Sequence, residues 1–352
     1  MFGYNNHIVQ KDIKELINTN FQWFHLNNKR FLITGANGML ATYLIYTLMS
    51  LKKEKGLNIK VVALSRNLQK LQFLFKDFLE DKNFEIISQD VSQPIQCIGR
   101  IDYIFHFAGN ASPYYINNEP VEIMKSNLLG TFNVLELARD KEPEKIIFAS
   151  TREVYGKVED LEKIKESDFG ILDPLDDRSC YPESKRAAES ILKSYYLEYK
   201  IPFNSVRIAH SYGPGMKLEN DGRVMADFIS NVVHKEDIIL HSTGEALRSF
   251  CYISDAIQGL FQVLLYGKIG KAYNLANETE PYSIKEIAQM LANLYPERNI
   301  SVKFELKTEL KGYCNYKRTM LDTTSIESIG WQPSISIKEG LKRTVDSFIN
   351  NK

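Results

Sequence analysis

Short apolar runs alternate with stretches of helical periodicity over the first two-thirds of the chain. KRFLITG is followed by IKVVALS (59–65), FEIIS (84–88), IDYIFHFAG (101–109), KIIFAS (145–150) and FNSVRIA (203–209). These runs are hydrophobic nearly throughout, as strands buried on both faces are, whereas a half-exposed strand would be polar at every second position. Helical patterns lie between them, notably over 119–140 and 181–199. Strand and helix in alternation predict a parallel sheet with right-handed crossovers, a doubly wound α/β fold. Ahead of it, QKDIKELINTN places Ile13, Leu16 and Ile17 on one side of a short helix, so residues 1–28 are expected to form a helical extension used in packing or assembly. Beyond residue 212 the alternation weakens into YGPG, a helix-like DGRVMADFISNVVH, a loop with Arg248 and a final amphipathic stretch. The expected division is a nucleotide-binding domain over 29–211 and a smaller, mainly substrate-binding lobe over 212–352, with some segments returning to the first domain. Residues 156–180, rich in Asp, Glu and Lys, are expected to form a solvated loop.

Composition narrows the function. The 352 residues carry 44 Lys and Arg against 44 Asp and Glu, so no global field draws nucleic acid or an anionic membrane to the chain. No apolar stretch reaches the length of a membrane span, and the first twenty residues lack a signal-peptide order, so a cytoplasmic location is expected. Cys97, Cys180, Cys251 and Cys314 form no CxxC pair; reduced thiols and no metal site are expected.

The first strand-to-helix junction reads TGANGMLA, with Gly35 and Gly38 in the turn and Ala41 where a third glycine often stands. Small residues there let backbone N–H groups approach a pyrophosphate whose charge the helix N-terminus favours. This makes the expected fold Rossmann-like, with Gly35, Asn37, Gly38, Met39 and Leu40 on the dinucleotide. The second strand ends Leu64, Ser65, Arg66, Asn67, with no acid for a ribose 2′-hydroxyl; Arg66 either meets a 2′-phosphate or lies flat on the adenine. Asp90 and Val91 are placed at the adenine, and Ala108, Gly109, Asn110 and Asn127 beside the cofactor. These residues leave NAD and NADP both open.

After the fifth strand comes STREVYG and then CYPESKRAAE, which sets Tyr181 and Lys185 at i, i+4 on one helix face. A free tyrosine has a pKa of about 10, which a nearby ammonium lowers, and Thr151 offers a hydroxyl to orient an alcohol. His106, within its strand, reads as a core residue, and Tyr114 and Tyr115 as either pocket lining or packing.

Together these motifs resemble the extended short-chain dehydrogenase/reductase family of nucleotide-sugar epimerases, dehydratases and decarboxylases. NLLGTFNVLELA (127–138), VRIAHSYGPGM (206–216), LRSFCYISDAI (247–257) and LDTTSIESIGWQPSISIKEGLKRT (321–344) extend the likeness from about Arg30 to Phe348. STxEVYG, YxxxKRxAE, NDGRV and the Arg-x-Phe of Arg248 and Phe250 look most like UDP-glucuronate decarboxylases. The resemblance implies NAD as the cofactor, with NADP not excluded, a nucleotide-sugar substrate, oxidation of its C4 hydroxyl by Tyr181, Lys185 and Thr151, and a role for Glu153 near C5. It also implies a homodimer through the helices at 119–140 and 181–199.

Dehydratases of the family carry Asp-Glu after the threonine, where this chain has Arg152-Glu153; a guanidinium does not act as a general acid at neutral pH, so dehydration ranks last. Arg152 is assigned to the substrate, as are Ser112, His210 (where relatives commonly have Asn), Arg223, Arg248 and Arg318. The leading expectation is decarboxylase-like chemistry, then epimerisation at or near C4. The alternative of another class is a cofactor-sensing binding protein on the same fold.

Overall fold

In the central sheet, β1 (Lys29–Thr34), β2 (Ile59–Ser65), β3 (Phe84–Ser88), β4 (Tyr103–His106), β5 (Lys145–Thr151), β6 (Phe203–Ile208) and β7 (Lys271–Leu275) run parallel in the order 3-2-1-4-5-6-7. The computed structural model describes residues 3–158, 161–219, 221–279, 281–306 and 320–349. Cys314 and Asn220 of the NDGRV string lie outside the described residues. The inner strands β1, β2, β4 and β5 are mostly apolar because each serves two cores: Phe31 and Ile33 of β1 join one face, Leu32 the other. The first core is closed by α1 (His7–Ile17), α2 (Met39–Lys55), α3 (Leu68–Leu74) and, further along the chain, Ile253–Tyr266; the second by α5 (Pro120–Lys141) and α6 (Cys180–Tyr199), while α4 (Pro113–Asn118) packs its Ile116 with Ile123 and Tyr181. Strand order reverses between β1 and β4, and the crevice beyond the C-terminal ends of such strands is where ligands bind in doubly wound sheets.

β7 carries no uniform apolar run. Its Asn274 is fully buried, donating to the Ile164 and Asp322 carbonyls at 3.0 Å each and accepting from the Tyr155 hydroxyl at 2.6 Å. The expected solvated loop of 156–180 is in part ordered: Lys163–Ile164 pairs in parallel with Met320–Leu321, and Ile164 is buried. An apolar residue inside the charged stretch anchors it.

The N-terminal helix is built into the core. Asp12 of α1 accepts from Tyr43 at 3.0 Å, Tyr252 at 2.7 Å and Arg343 at 2.7 Å, and Arg343 also pairs with Glu15 and Glu339. Smaller elements form the lobe after β6: α7 (Val224–His234), α8 (Ile253–Tyr266), α9 (Ile284–Leu294), α10 (Thr324–Ser328), α11 (Ile337–Ile349) and the ribbon of Leu247–Arg248 with Tyr282–Ser283. Among the described residues no helix is long and apolar enough to cross a membrane.

Candidate active site

The turn from β1 into α2 is glycine for a steric reason. Gly35 has φ +66°, and a Cβ there would stand 2.7 Å from the Phe107 carbonyl oxygen and 2.8 Å from the Ala108 nitrogen. Gly38 caps α2 without a side chain, so the backbone of Asn37, Met39 and Leu40 surrounds a bare helix N-terminus suited to an anion. The Ala36 N–H donates to the Leu64 carbonyl at 3.1 Å, tying the turn to the end of β2.

At the end of β4, Gly109 (φ +137°) is a second close approach. A Cβ there would strike Asn127 Oδ1 and come within 3.3 Å of Lys185 Nζ. Asn127 is fully buried; its Nδ2 donates to Ser184 Oγ at 2.8 Å, while its Oδ1 has no partner among the described residues. A buried acceptor is costly to leave unpaired, and this one lies between Gly109 and Lys185, where a nicotinamide ribose would supply a donor. These two glycine cradles and the orphaned oxygen fit a dinucleotide. Val91 packs on Gly130 and its carbonyl accepts from Asn133 Nδ2 at 2.9 Å. Arg66, just past the end of β2, pairs with Asp90 at 3.4 Å. His106 is a packing group: its ring bridges Thr34 at 2.8 Å and Thr131 at 3.1 Å, and burial, with the Lys185 charge, holds its pKa down at about 3.

Tyr181 enters in the first turn of α6 and hydrogen-bonds with Thr151 at the end of β5. Lys185, one turn later and 3% exposed, donates to the Ala149 carbonyl at 2.8 Å and lies 4.6 Å over the Phe148 ring; burial lowers its pKa to about 7. The Tyr181 phenol is held above its ordinary range by burial and then by the charge of Glu153. The Thr151 hydrogen bond, Arg223 and Arg178 oppose this. The depression expected from the i, i+4 ammonium does not outweigh this, because desolvation dominates and the Lys185 ammonium donates to a carbonyl.

Glu153 is set between two guanidinium groups. Arg178 pairs with it at 3.8 Å and Arg152 acts on it from the adjacent position; burial nonetheless leaves its carboxyl above the usual glutamate range. Arg178 is a site residue that the sequence reading missed. It falls in the charged 156–180 stretch, and its one signal was a position three residues before Tyr181. Arg223 pairs with Asp221, whose carbonyl accepts from Ser112 Oγ at 2.7 Å, so Ser112 and Arg223 are joined on the same side of the pocket as Tyr181. Ser112 N in turn donates to Asn110 Oδ1 at 3.1 Å.

His210 is exposed, at φ +42°, with its ring 5.6 Å from that of Phe250. Left-handed backbone favours Asn and admits His, which is a conformational reason for the exchange at this position. Arg248 lies two residues before Phe250 and donates to the Leu247 carbonyl at 2.8 Å. Arg318 lies outside the described residues. Among the described residues no His, Cys, Asp and Glu cluster is arranged to hold a metal ion.

A doubly wound sheet whose nucleotide cradle leads to a Thr, Tyr and Lys group defines a dinucleotide-dependent enzyme that handles a hydroxyl or carbonyl. The chain belongs to the NAD-dependent epimerase/dehydratase family, whose model matches residues 31–276. NAD is the cofactor of that family. The chain is 31% identical over 326 residues to UDP-glucuronic acid decarboxylase 5 of Arabidopsis thaliana, spanning 92% of this chain and 91% of that one. It is likewise 31% identical to UDP-glucuronic acid decarboxylase 1 of Danio rerio, over 92% of this chain and 73% of that one. Among solved structures, UDP-glucose 4-epimerase of Thermotoga maritima superposes with a TM-score of 0.78 at 22% identity, covering 91% of this chain and 99% of that chain. The UDP-glucuronic acid 4-epimerase of Bacillus cereus with NAD gives 0.74 at 21% identity, with the same two coverages.

Proposed function

We propose that the chain is a nucleotide-sugar decarboxylase working through C4 oxidation, on a UDP-glucuronate-like substrate. The observation that carries this reading is the partly buried Glu153 carboxyl beside Tyr181, held by Arg178 at 3.8 Å, which offers a proton donor to the carbon next to C4; the 31% identity to UDP-glucuronic acid decarboxylases over most of the chain supports it. NAD, when bound, accepts hydride from C4 and returns it. Thr151 and Tyr181 hold the C4 hydroxyl, and Tyr181 takes its proton, with Lys185 one turn behind it to stabilise the phenolate against the burial that holds the phenol up. The resulting 4-ketone makes the substrate a β-keto acid. The C5–C6 bond breaks, carbon dioxide leaves, and the bonding pair passes into the C4 enolate. Glu153, whose carboxyl burial holds above the usual glutamate range, is assigned to deliver a proton to C5. Arg223, Arg248 and Ser112 are assigned to the nucleotide-sugar, the first two to its diphosphate. Residues 29–211 hold the cofactor and the reacting groups, and residues 212–352 mainly the sugar nucleotide.

A specific observation favours epimerisation as the second reading. Arg152 replaces the serine of decarboxylases, and a cation gripping a carboxylate that departs as neutral gas stabilises the ground state more than the transition state. In an epimerase of a uronate the carboxylate stays and the grip costs nothing. Incubation of purified protein with UDP-glucuronate and other UDP-, CDP-, GDP- and dTDP-sugars, followed by mass and proton NMR spectra, separates the two. Loss of carbon dioxide supports decarboxylation; unchanged mass with an altered sugar spectrum supports epimerisation; no change in any sugar refutes both.

Glu153→Gln is expected to leave C4 oxidation intact while slowing product formation by about a hundredfold or more. Because the Glu153 charge holds the Tyr181 phenol up, its removal lowers that pKa. The ascending limb of the oxidation rate against pH therefore moves to lower pH. An unshifted limb with wild-type product formation would remove Glu153 from the mechanism.

A cytoplasmic homodimer completes the reading. Val121, Met124, Leu129 and Phe132 on α5 and Leu197 on α6 are exposed on two helices that pack side by side, an apolar face suited to a second copy. The unpaired thiols of Cys97, Cys180 and Cys251 suit a reducing compartment.

A further inference from the structure

Arg207 and Glu189 form an interior ion pair that the chemistry proposed above leaves unused. Arg207 of β6 presents its guanidinium to Glu189 of α6 as a fork, Nε to Oε1 at 3.1 Å and Nη2 to Oε2 at 2.7 Å, with side chains 9% and 15% exposed. Its Nη1 donates to the Tyr155 hydroxyl at 2.9 Å and to the Glu166 carbonyl at 3.0 Å. Two charges are costly to desolvate, and apolar residues of similar volume often serve stability as well. The pair therefore calls for a reason beyond holding the fold.

β5 joins this pair to Lys185. Ala149 and Ser150 are consecutive near the end of that strand: the Ala149 carbonyl accepts from Lys185 Nζ at 2.8 Å, and the Ser150 hydroxyl donates to Glu189 Oε1 at 2.6 Å. Lys185 and Glu189 are also i, i+4 on α6, so two neighbouring residues of the strand meet two successive turns of one helix face. The charged and titratable groups facing Lys185 are Tyr181 and Glu189 from its own helix and His106 from β4, which burial keeps neutral at pH 7. Arg207 of β6 stands behind Glu189, and α5 contributes the uncharged Asn127. Among these groups Glu189 is the one that opposes the downward pull of burial on the ammonium.

We propose that Glu189 is a positioning residue for Tyr181 and Lys185: its carboxylate, fixed by Arg207 and Ser150, keeps the Lys185 side chain charged and seated on the Ala149 carbonyl. Arg207 is the brace. Its planar fork gives the carboxylate one orientation, which the point charge of a lysine would not. Its bond to Tyr155 anchors the turn that carries Glu153 to the same pair. A charged Lys185 in turn stabilises the Tyr181 phenolate. The inference rests on the C4 oxidation proposed above.

The test follows Lys185 and the reaction separately. In the full chain with lysines labelled with carbon-13 at Cε, the NMR resonance lost in Lys185→Met identifies Lys185, and its shift is followed against pH. Glu189→Gln is expected to move the Lys185 midpoint down from about 7 by about one pH unit. With less cation behind the phenol, the ascending limb of NAD reduction by UDP-glucuronate moves to higher pH, opposite in direction to that of Glu153→Gln, and oxidation at neutral pH slows about tenfold. Glu189→Asp keeps the charge and is expected to return both midpoints towards wild type, which a purely structural role would not do. Glu189→Gln leaves Arg207 buried without its counter-charge. If circular dichroism shows that this variant does not fold, Glu189→Gln/Arg207→Gln, which removes both charges, carries the same expectation. An unmoved Lys185 midpoint in the folded variant overturns the proposal. A chain that oxidises no nucleotide-sugar would defeat the proposed function while the Lys185 titration still decides this inference; an active decarboxylase whose Lys185 titrates alike with and without Glu189 would do the reverse.

Discussion

Tyr181→Phe is expected to reduce turnover of a nucleotide-sugar by between about a hundredfold and ten-thousandfold, with cofactor affinity unchanged. The substitution removes one oxygen from a ring that is 5% exposed and packed with Ile116 and Ile123, so the phenyl group retains its contacts. What disappears is the acid–base function opposite Thr151. The Lys185 ammonium remains on the Ala149 carbonyl and the Gly35 and Gly109 cradles are untouched. Steady-state rates together with calorimetric titration of the nucleotide distinguish a lost base from a damaged fold. Wild-type turnover in the variant would eliminate Tyr181 as the proton acceptor, and loss of nucleotide binding would assign it a structural role instead.

The largest effect on stability is expected far from the pocket. Arg343→Met leaves Asp12 charged, 1% exposed and without its cation, although Tyr43 and Tyr252 still donate to it. Breaking a buried pair on one side costs about 3–5 kcal/mol, read as a lower urea midpoint at unchanged slope. The dependence on pH has a definite sign. Burial raises the Asp12 carboxyl above its ordinary value even with Arg343 present, so the native state favours the protonated form, and this contribution is lost as pH rises through the folded value. Removing the guanidinium raises that value further. The deficit of the variant is therefore expected to be largest at neutral pH and to shrink on acidification. A midpoint within error of wild type at neutral pH would mean that the network contributes nothing.

That network also changes the meaning of the N-terminal helix. Periodicity alone gave α1 an apolar side, and a separate extension was the natural reading. The structure joins α1 to α11 through Asp12 and Arg343, which are 331 positions apart, and to α2 and the start of α8 through two tyrosine hydroxyls. A lone Asp on an otherwise apolar helix face carries no local sign of the partner that makes its burial tolerable.

Other parts of the site divide in the same way. TGANGMLA was legible as a cradle because the turn needs a left-handed residue at Gly35, and the need arises within a few residues of chain. Tyr181 and Lys185 were legible because helix geometry alone puts i and i+4 on one face. Arg178 was not, since a charged stretch looks solvated until the fold brings it against Glu153. Nor was β7, an edge strand containing polar Lys271 and Asn274, whose buried amide is satisfied only by segments from elsewhere in the chain.

The sequence by itself determined the doubly wound class, the nucleotide turn and the spacing of the Tyr and Lys, because each follows from steric and periodic rules acting over a few residues. Tertiary structure alone decided the upward shifts of Tyr181 and Glu153, the orphaned oxygen of Asn127 and the burial of Asp12. Desolvation and charge interaction depend on what surrounds a group in space, and in this fold those neighbours come from distant parts of the chain.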